Sequence, residues 1–263
     1  MQSTNPVLTR SDTFSRKGYA GFRTQPDLSV PDGLRSAPTT PSSTRPMTID
    51  DVVSRTALLL IIAVTTGAIS WVADIGFGLA IVAGLVGFGL AMVNSFKRVP
   101  SPPLIMLYAL AEGVLLGAFS HALEESNPAK LHGVALQAVA GTAIVFAVML
   151  ALYRSGKVRV TARMNRIVFG AVLAFVGLQL FNMILWMFGA GVNTWGGSLG
   201  IGIGALGVGL GAYMLAMDFD LVEQGVRNGA PEIEAWRAAF GLTVTIVWLY
   251  IEMLRLLSSI RQS

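Results

Sequence analysis

Four acidic side chains stand where an apolar chain has no ordinary use for them. Glu112 lies near the middle of LIMLYALAEGVLLGAFSHAL (residues 104–123), Asp218 and Asp220 in YMLAMDFDLVEQG, and Glu252 in VWLYIEMLRLL. A charged side chain at the centre of a bilayer costs roughly 2.5–3.5 kcal/mol on insertion scales, so such residues are rare and are usually functional. The chemistry open to them is narrow: they can carry a proton, act as a pH-dependent lock, or lend oxygen to a desolvated cation. Asp218 and Asp220 sit at the inner end of one apolar segment and Glu112 at the midplane of another. Glu252 lies about 7 Å beyond the middle of a third, at 1.5 Å of rise per residue. If those segments are neighbours, the acids form a ladder from inner mouth to outer half.

Each acid also has a structural reading. Asp220 and Glu223 fit solvated acids at a helix end as well as they fit an ion path. Glu252 has Arg255 three residues on and Arg261 further toward the interface, so a local ion pair would account for it equally well. Glu112 has no basic residue near it in sequence, and for it the functional reading is preferred. Lys97 and Arg98, at an inner mouth, are candidate partners for Asp218.

Other chemistries are excluded by what is missing. There is no cysteine, which removes disulfides, thiol catalysis and Cys-ligated metals. His121 and His132 are the only histidines, both near an outer boundary, too few for a membrane zinc hydrolase. No Walker A pattern or evident Ser–His pair occurs, and residues 236–258 hold no lysine for a retinal Schiff base. The expectation is a protein that is not an enzyme and has no cofactor.

The elements that must position these acids follow from composition. The chain has 263 residues, 53% hydrophobic and 13% charged, whereas soluble domains carry about 25% charged residues. No charge lies between Arg166 and Asp218, which leaves room for two spans of about 20 residues. Seven apolar runs are read as transmembrane helices, at 56–73, 75–96, 103–123, 133–153, 167–188, 198–218 and 236–258. The expected fold is an all-α, seven-helix membrane bundle over residues 47–263. The break between the first two runs is marked only by Asp74 and Gly76.

Residues 1–46 hold six of the eleven prolines, many Ser and Thr, and no aliphatic periodicity, the composition of a disordered tail. No apolar h-region stands near its start, which argues against a cleavable signal peptide. In MTIDDVVSRT, Thr48 and Asp51 have the spacing of a helix N-cap. Orientation follows from Lys and Arg: with the N-terminus inside, 16 of the 19 fall on the inner side and three on the outer. The reading is a plasma-membrane protein with a cytoplasmic N-terminus and an external C-terminus. The same placement of charge argues against nucleic acid as a partner. In GGSLGIGIGALGVGLG, Gly200, Gly204, Gly207 and Gly211 line one helical stripe, read as close helix packing, with a sliding surface as the alternative.

The tract DFDLVEQGVRNGAPEIEAWRAAFGLTVTIVWLYIEMLRLL, with MTIDDVVSRT and YALAEGVLLGAF, resembles bacterial members of the transmembrane Bax-inhibitor-motif (Bax inhibitor-1-like) family, over about residues 47–260. The resemblance implies seven helices with the last at the centre. It also implies a pH-sensitive calcium leak attributed to an acid pair on helices 6 and 7, latched by a basic residue at the inner end of helix 2. Carried onto this chain, the helix 6 acid is Asp218 and the latch is Lys97 or Arg98. The helix 7 acid falls in TVTIVWLY, where this chain has Thr245. A threonine can hydrogen-bond a carboxylate but cannot titrate beside it. Glu112 or Glu252 is therefore the expected substitute. Thr245 and Glu252, seven residues apart, share a helical face.

The leading expectation is a pH-gated cation leak channel or exchanger of the cell membrane, calcium being the expected ion. Asp218 and Glu112 would titrate and hold calcium transiently, with Thr245, Asn182 and backbone carbonyls supplying further oxygen. Its partners would be the bilayer, calcium and protons. The competing expectation is a non-transporting regulatory protein that binds other membrane proteins or a protease through its tail or its glycine stripe.

Overall fold

The structure is a computed structural model, and it describes residues 45–158 and 160–263. The disordered tail expected at 1–46 therefore lies outside the described residues, apart from its last two. Those two are ordered. Pro46 pairs with Pro231, the Met47 amide donates to the Ala230 carbonyl at 2.7 Å, and the Glu232 amide donates to Arg45 at 2.9 Å.

The helices are α1 (Ile49–Val72), α2 (Phe77–Phe96), α3 (Pro102–Ser126), the single turn α4 (Pro128–Leu131), α5 (Val134–Arg154), α6 (Ala162–Met187), α7 (Gly197–Arg227) and α8 (Glu234–Gln262). Seven are long and apolar enough to cross a membrane, with α4 leading into α5 in the fourth such stretch. Large apolar side chains such as Leu85, Phe88, Leu173 and Phe181 point outward. On a soluble protein so much exposed hydrocarbon would demand a partner; on this bundle it is the surface that lipid wets.

Local chemistry sets the ends. At the start of α1, Thr48 Oγ1 accepts from the Asp51 amide at 3.2 Å and Asp51 Oδ2 accepts from the Thr48 amide at 3.0 Å, the expected reciprocal cap. Between α1 and α2 the chain turns through Asp74, whose φ of 46° is in the left-handed region. Prolines open α3, and the Glu124 carboxylate accepts from the Gly133 and Ala135 amides, both at 2.9 Å, closing the start of α5.

The largest boundary difference from expectation is at the end of the sixth span. The apolar run of the sixth span ends at Asp218, but α7 continues to Arg227. Hydropathy stops where charge begins, whereas DFDLVEQ contains nothing that breaks a helix. Asp218 is consequently inside a helix, not at its end.

Packing centres on α8, which touches α1, α3, α4, α5 and α7. Its buried positions include Ala239, Leu242, Thr245, Leu249, Glu252 and Ser259, which lie around much of the helix, as expected of a central helix. By contrast α2 packs chiefly on α3 and α6 on α7. Two glycine seams draw helices together. The stripe at Gly200, Gly204, Gly207 and Gly211 is filled by α8: a Cβ at Gly204 would come within 2.9 Å of the Leu256 backbone. The Trp248 indole donates to the Gly207 carbonyl at 3.1 Å across the same seam. The second seam joins α1 to α3, where Gly113 and Gly117 abut Ala63, Thr66 and Gly67, and Ser70 Oγ donates to the Val114 carbonyl at 2.9 Å.

Candidate functional site

Asp218 and Thr245 meet across the α7–α8 interface. Thr245 Oγ1 donates to Asp218 Oδ2 at 2.6 Å. Thr245 is buried and Asp218 half-buried, flanked by Leu215 and Phe219 of a hydrophobic cluster that also includes Leu242. One turn before Thr245, Gly241 lies beside the carboxylate without crowding it; a Cβ there would meet Asp218 Oδ1 in ordinary van der Waals contact at 3.9 Å. Among the described residues no Lys, Arg or His forms an ion pair with Asp218. The position where the family resemblance expects a second acid thus holds a hydrogen-bond donor aimed at the first.

Glu252 has the opposite surroundings. It pairs with Arg255 at 3.1 Å, and the two residues are 4% and 5% exposed. With its carboxamide oxygen turned to the guanidinium, Gln179 of α6 accepts from both Arg255 terminal nitrogens at 2.5 Å. Trp195, in the α6–α7 loop, covers the guanidinium with its ring centroid 4.8 Å away. A side chain at Gly207 would collide with the Glu252 carboxylate, so the glycine stripe also makes room for this pair. The local ion pair is therefore the geometry Glu252 adopts, and it does not approach Asp218 as a substitute acid.

Glu112 belongs to neither setting. The α1–α3 glycine seam fixes the rotation of α3, and Glu112 points at α2, where a Cβ on Gly87 would lie 3.0 Å from Glu112 Oε1. Its helix makes its main contacts with α1 and α2, lesser ones with α8, and none of note with α7. No hydrogen bond or ion pair joins Glu112 to Asp218 or Glu252 among the described residues. The expected three-rung ladder is not assembled, because its middle rung faces a different neighbour.

Lys97 and Arg98 are exposed and pair with no carboxylate among the described residues. Their carbonyls instead accept from Arg237 Nη2 of α8, at 3.4 and 2.6 Å. The ion pairs at this end are elsewhere: Arg55 of α1 binds Glu232 of the α7–α8 turn through Oε1 at 2.7 Å and its carbonyl at 2.5 Å, while Arg45 contacts Asp51 at 2.5 Å and Glu232 at 3.5 Å. Arg55 also lies over Trp236 at 5.2 Å. Asp220 faces Gln224 and Tyr153, and Glu223 shares the Tyr153 hydroxyl at 2.5 Å. Asn182, expected among the calcium oxygens, holds the α6–α7 loop by exchanging hydrogen bonds with Val192 at 2.9 and 3.0 Å.

An apolar crevice of about 700 Å³ is lined by α1, α3, α5 and α8, including Trp71, Leu136, Phe146 and Tyr250. Asp218, Glu112 and Glu252 are not among its lining residues, so it is separate from the carboxylates.

No curated protein matches the chain. A family model described as Bax inhibitor 1 like matches residues 5–262, nearly the whole length. Seven apolar helices, a buried central last helix and that match together place the chain in the Bax inhibitor-1-like family of membrane proteins.

Proposed function

We propose that the protein is a pH-sensitive cation leak of the cell membrane, with calcium as the expected ion and Asp218 as the titrating group. One observation carries the reading: Asp218 is a half-buried carboxylate within the bundle whose side-chain partner is a neutral hydroxyl. An ionised carboxylate in that position has negative charge left over for a cation, and protonation removes it. Thr245 holds the carboxylate in place and adds an oxygen of the hard kind that calcium prefers. The Arg55–Glu232 pair ties α1 to the turn between α7 and α8, so it is the contact that opening at this end would have to break. Lys97 and Arg98 lose the latch role to it.

The orientation that goes with this reading puts the N-terminus in the cytoplasm, with 16 of 19 basic residues on the inner side. The regulatory alternative loses one of its supports, since the glycine stripe is occupied by α8 and offers no free docking face.

The test is calcium entry into dye-loaded liposomes across the weakly acidic to weakly alkaline range. Wild type should leak with a pH-dependent rate. Asp218→Asn should abolish the pH dependence, and Thr245→Val should shift its midpoint while keeping it. Folded wild-type protein that passes no calcium at any pH would overturn the proposal.

A further inference from the structure

At the end of the bundle away from the Arg55–Glu232 contact, three residues from two separate stretches converge. Asp74 comes from the α1–α2 turn, and His121 and Glu125 from the last two turns of α3. Asp74 Oδ1 lies 3.3 Å from His121 Nδ1, and Glu125 Oε1 lies 3.9 Å from His121 Nε2. One ligand atom from each can be chosen so that all three fall within 4.8 Å of one another, the one such group of His, Asp and Glu among the described residues.

We infer that Asp74, His121 and Glu125 form a binding site for a divalent transition cation of the zinc type. Charge is the first argument. Two carboxylates share a single imidazole as their ion-pair partner, and no Lys or Arg reaches either among the described residues. A divalent cation balances that excess. Geometry is the second. Ligand atoms around tetrahedral zinc are about 3.3 Å apart, the spacing Asp74 and His121 already have. Glu125 lies nearer the other ring nitrogen, Nε2, and its side chain, two-thirds exposed and one turn on along the same helical face, has to rotate to bring an oxygen toward Nδ1 and Asp74. The imidazole is mostly buried, its ring 5.0 Å from Trp71 in an edge-on arrangement that fixes its plane.

The ligand set decides the class of ion. A nitrogen donor with two carboxylates suits zinc, with manganese weaker on the same ligands, and is a poor match for calcium, which takes oxygen. Three protein ligands leave a position open to water. The site is independent of the proposed leak: it shares no residue with Asp218 and Thr245, and its test needs no flux.

Zinc and, in parallel, calcium are titrated calorimetrically into tag-free, full-length protein in detergent, with manganese followed by electron paramagnetic resonance. The expected result is one zinc per chain, bound more tightly than manganese, with calcium failing to compete. His121→Asn, Asp74→Asn and Glu125→Gln, which keep shape, should each weaken zinc by at least about tenfold. His132→Asn should leave it unchanged, His132 being the other histidine in the chain. Absence of zinc binding by folded wild type, or binding that survives His121→Asn, or equal loss with His132→Asn, overturns the inference.

Discussion

At one end of the α7–α8 interface, Asp218 meets Thr245 and an uncrowded Gly241; at the other, Glu252 meets Arg255, Gln179 and the tight wall of Gly207. Both acids lie in apolar helices, and sequence alone gives them similar standing. What separates them is the partner. Removing one member of a buried ion pair leaves an uncompensated charge, so Glu252 and Arg255 are bound to each other structurally. Asp218 has no such obligation, and a carboxylate that is free to change its charge can respond to protons and cations. An acid inside a membrane protein is thus a functional candidate only once its counter-charge is known.

The largest test of this contrast is Arg255→Met, which strands Glu252 and should destabilise the fold by about 3–5 kcal/mol. Denaturant unfolding in detergent measures it, and Asp218→Asn, which removes no counter-charge, should cost far less. If the two variants unfold alike, the distinction fails. A smaller contrast uses the glycines. Gly207→Ala pushes a methyl into the Glu252 carboxylate and should cost about 1–3 kcal/mol. Gly241→Ala adds only an ordinary contact, and the better helix propensity of Ala should leave stability unchanged or slightly raised, by up to about 1 kcal/mol. The smallest effect belongs to Glu112→Gln. Facing α2, away from both pairs, it should move stability by about 0.5 kcal/mol or less and leave the pH midpoint of calcium flux where wild type has it. A large shift on that substitution would restore Glu112 to the path.

The sequence was most informative where one helix suffices. Thr48 and Asp51 announce the cap of α1, and the uncharged stretch after Arg166 announces two spans. Gly200 through Gly211 announce a packing seam. It was least informative where rotation about a helix axis decides. Nothing near Glu112 says that α3 turns it toward Gly87, although Gly113 and Gly117 form a G-x-x-x-G signal from which the α1–α3 seam could have been inferred. The run of hydropathy hid the last nine residues of α7, because helix and bilayer end at different places. Asp74 and His121 are 47 positions apart, so their meeting is a property of the fold alone. Glu232 and Arg55 are further apart still, at 177 positions, so their pairing too is a property of the fold.

The central position of α8 has a consequence for biosynthesis. Chains are made from the N-terminus, and helices of membrane proteins insert before they associate. Of the seven spans, the one that α1, α3, α5 and α7 all pack against is the last to leave the ribosome. The six earlier spans must wait in the membrane without their common partner, α7 with its glycine stripe unfilled. Arg255 and Glu252 arrive together on the same late helix, already within reach of each other, so neither charge has to enter the bilayer alone.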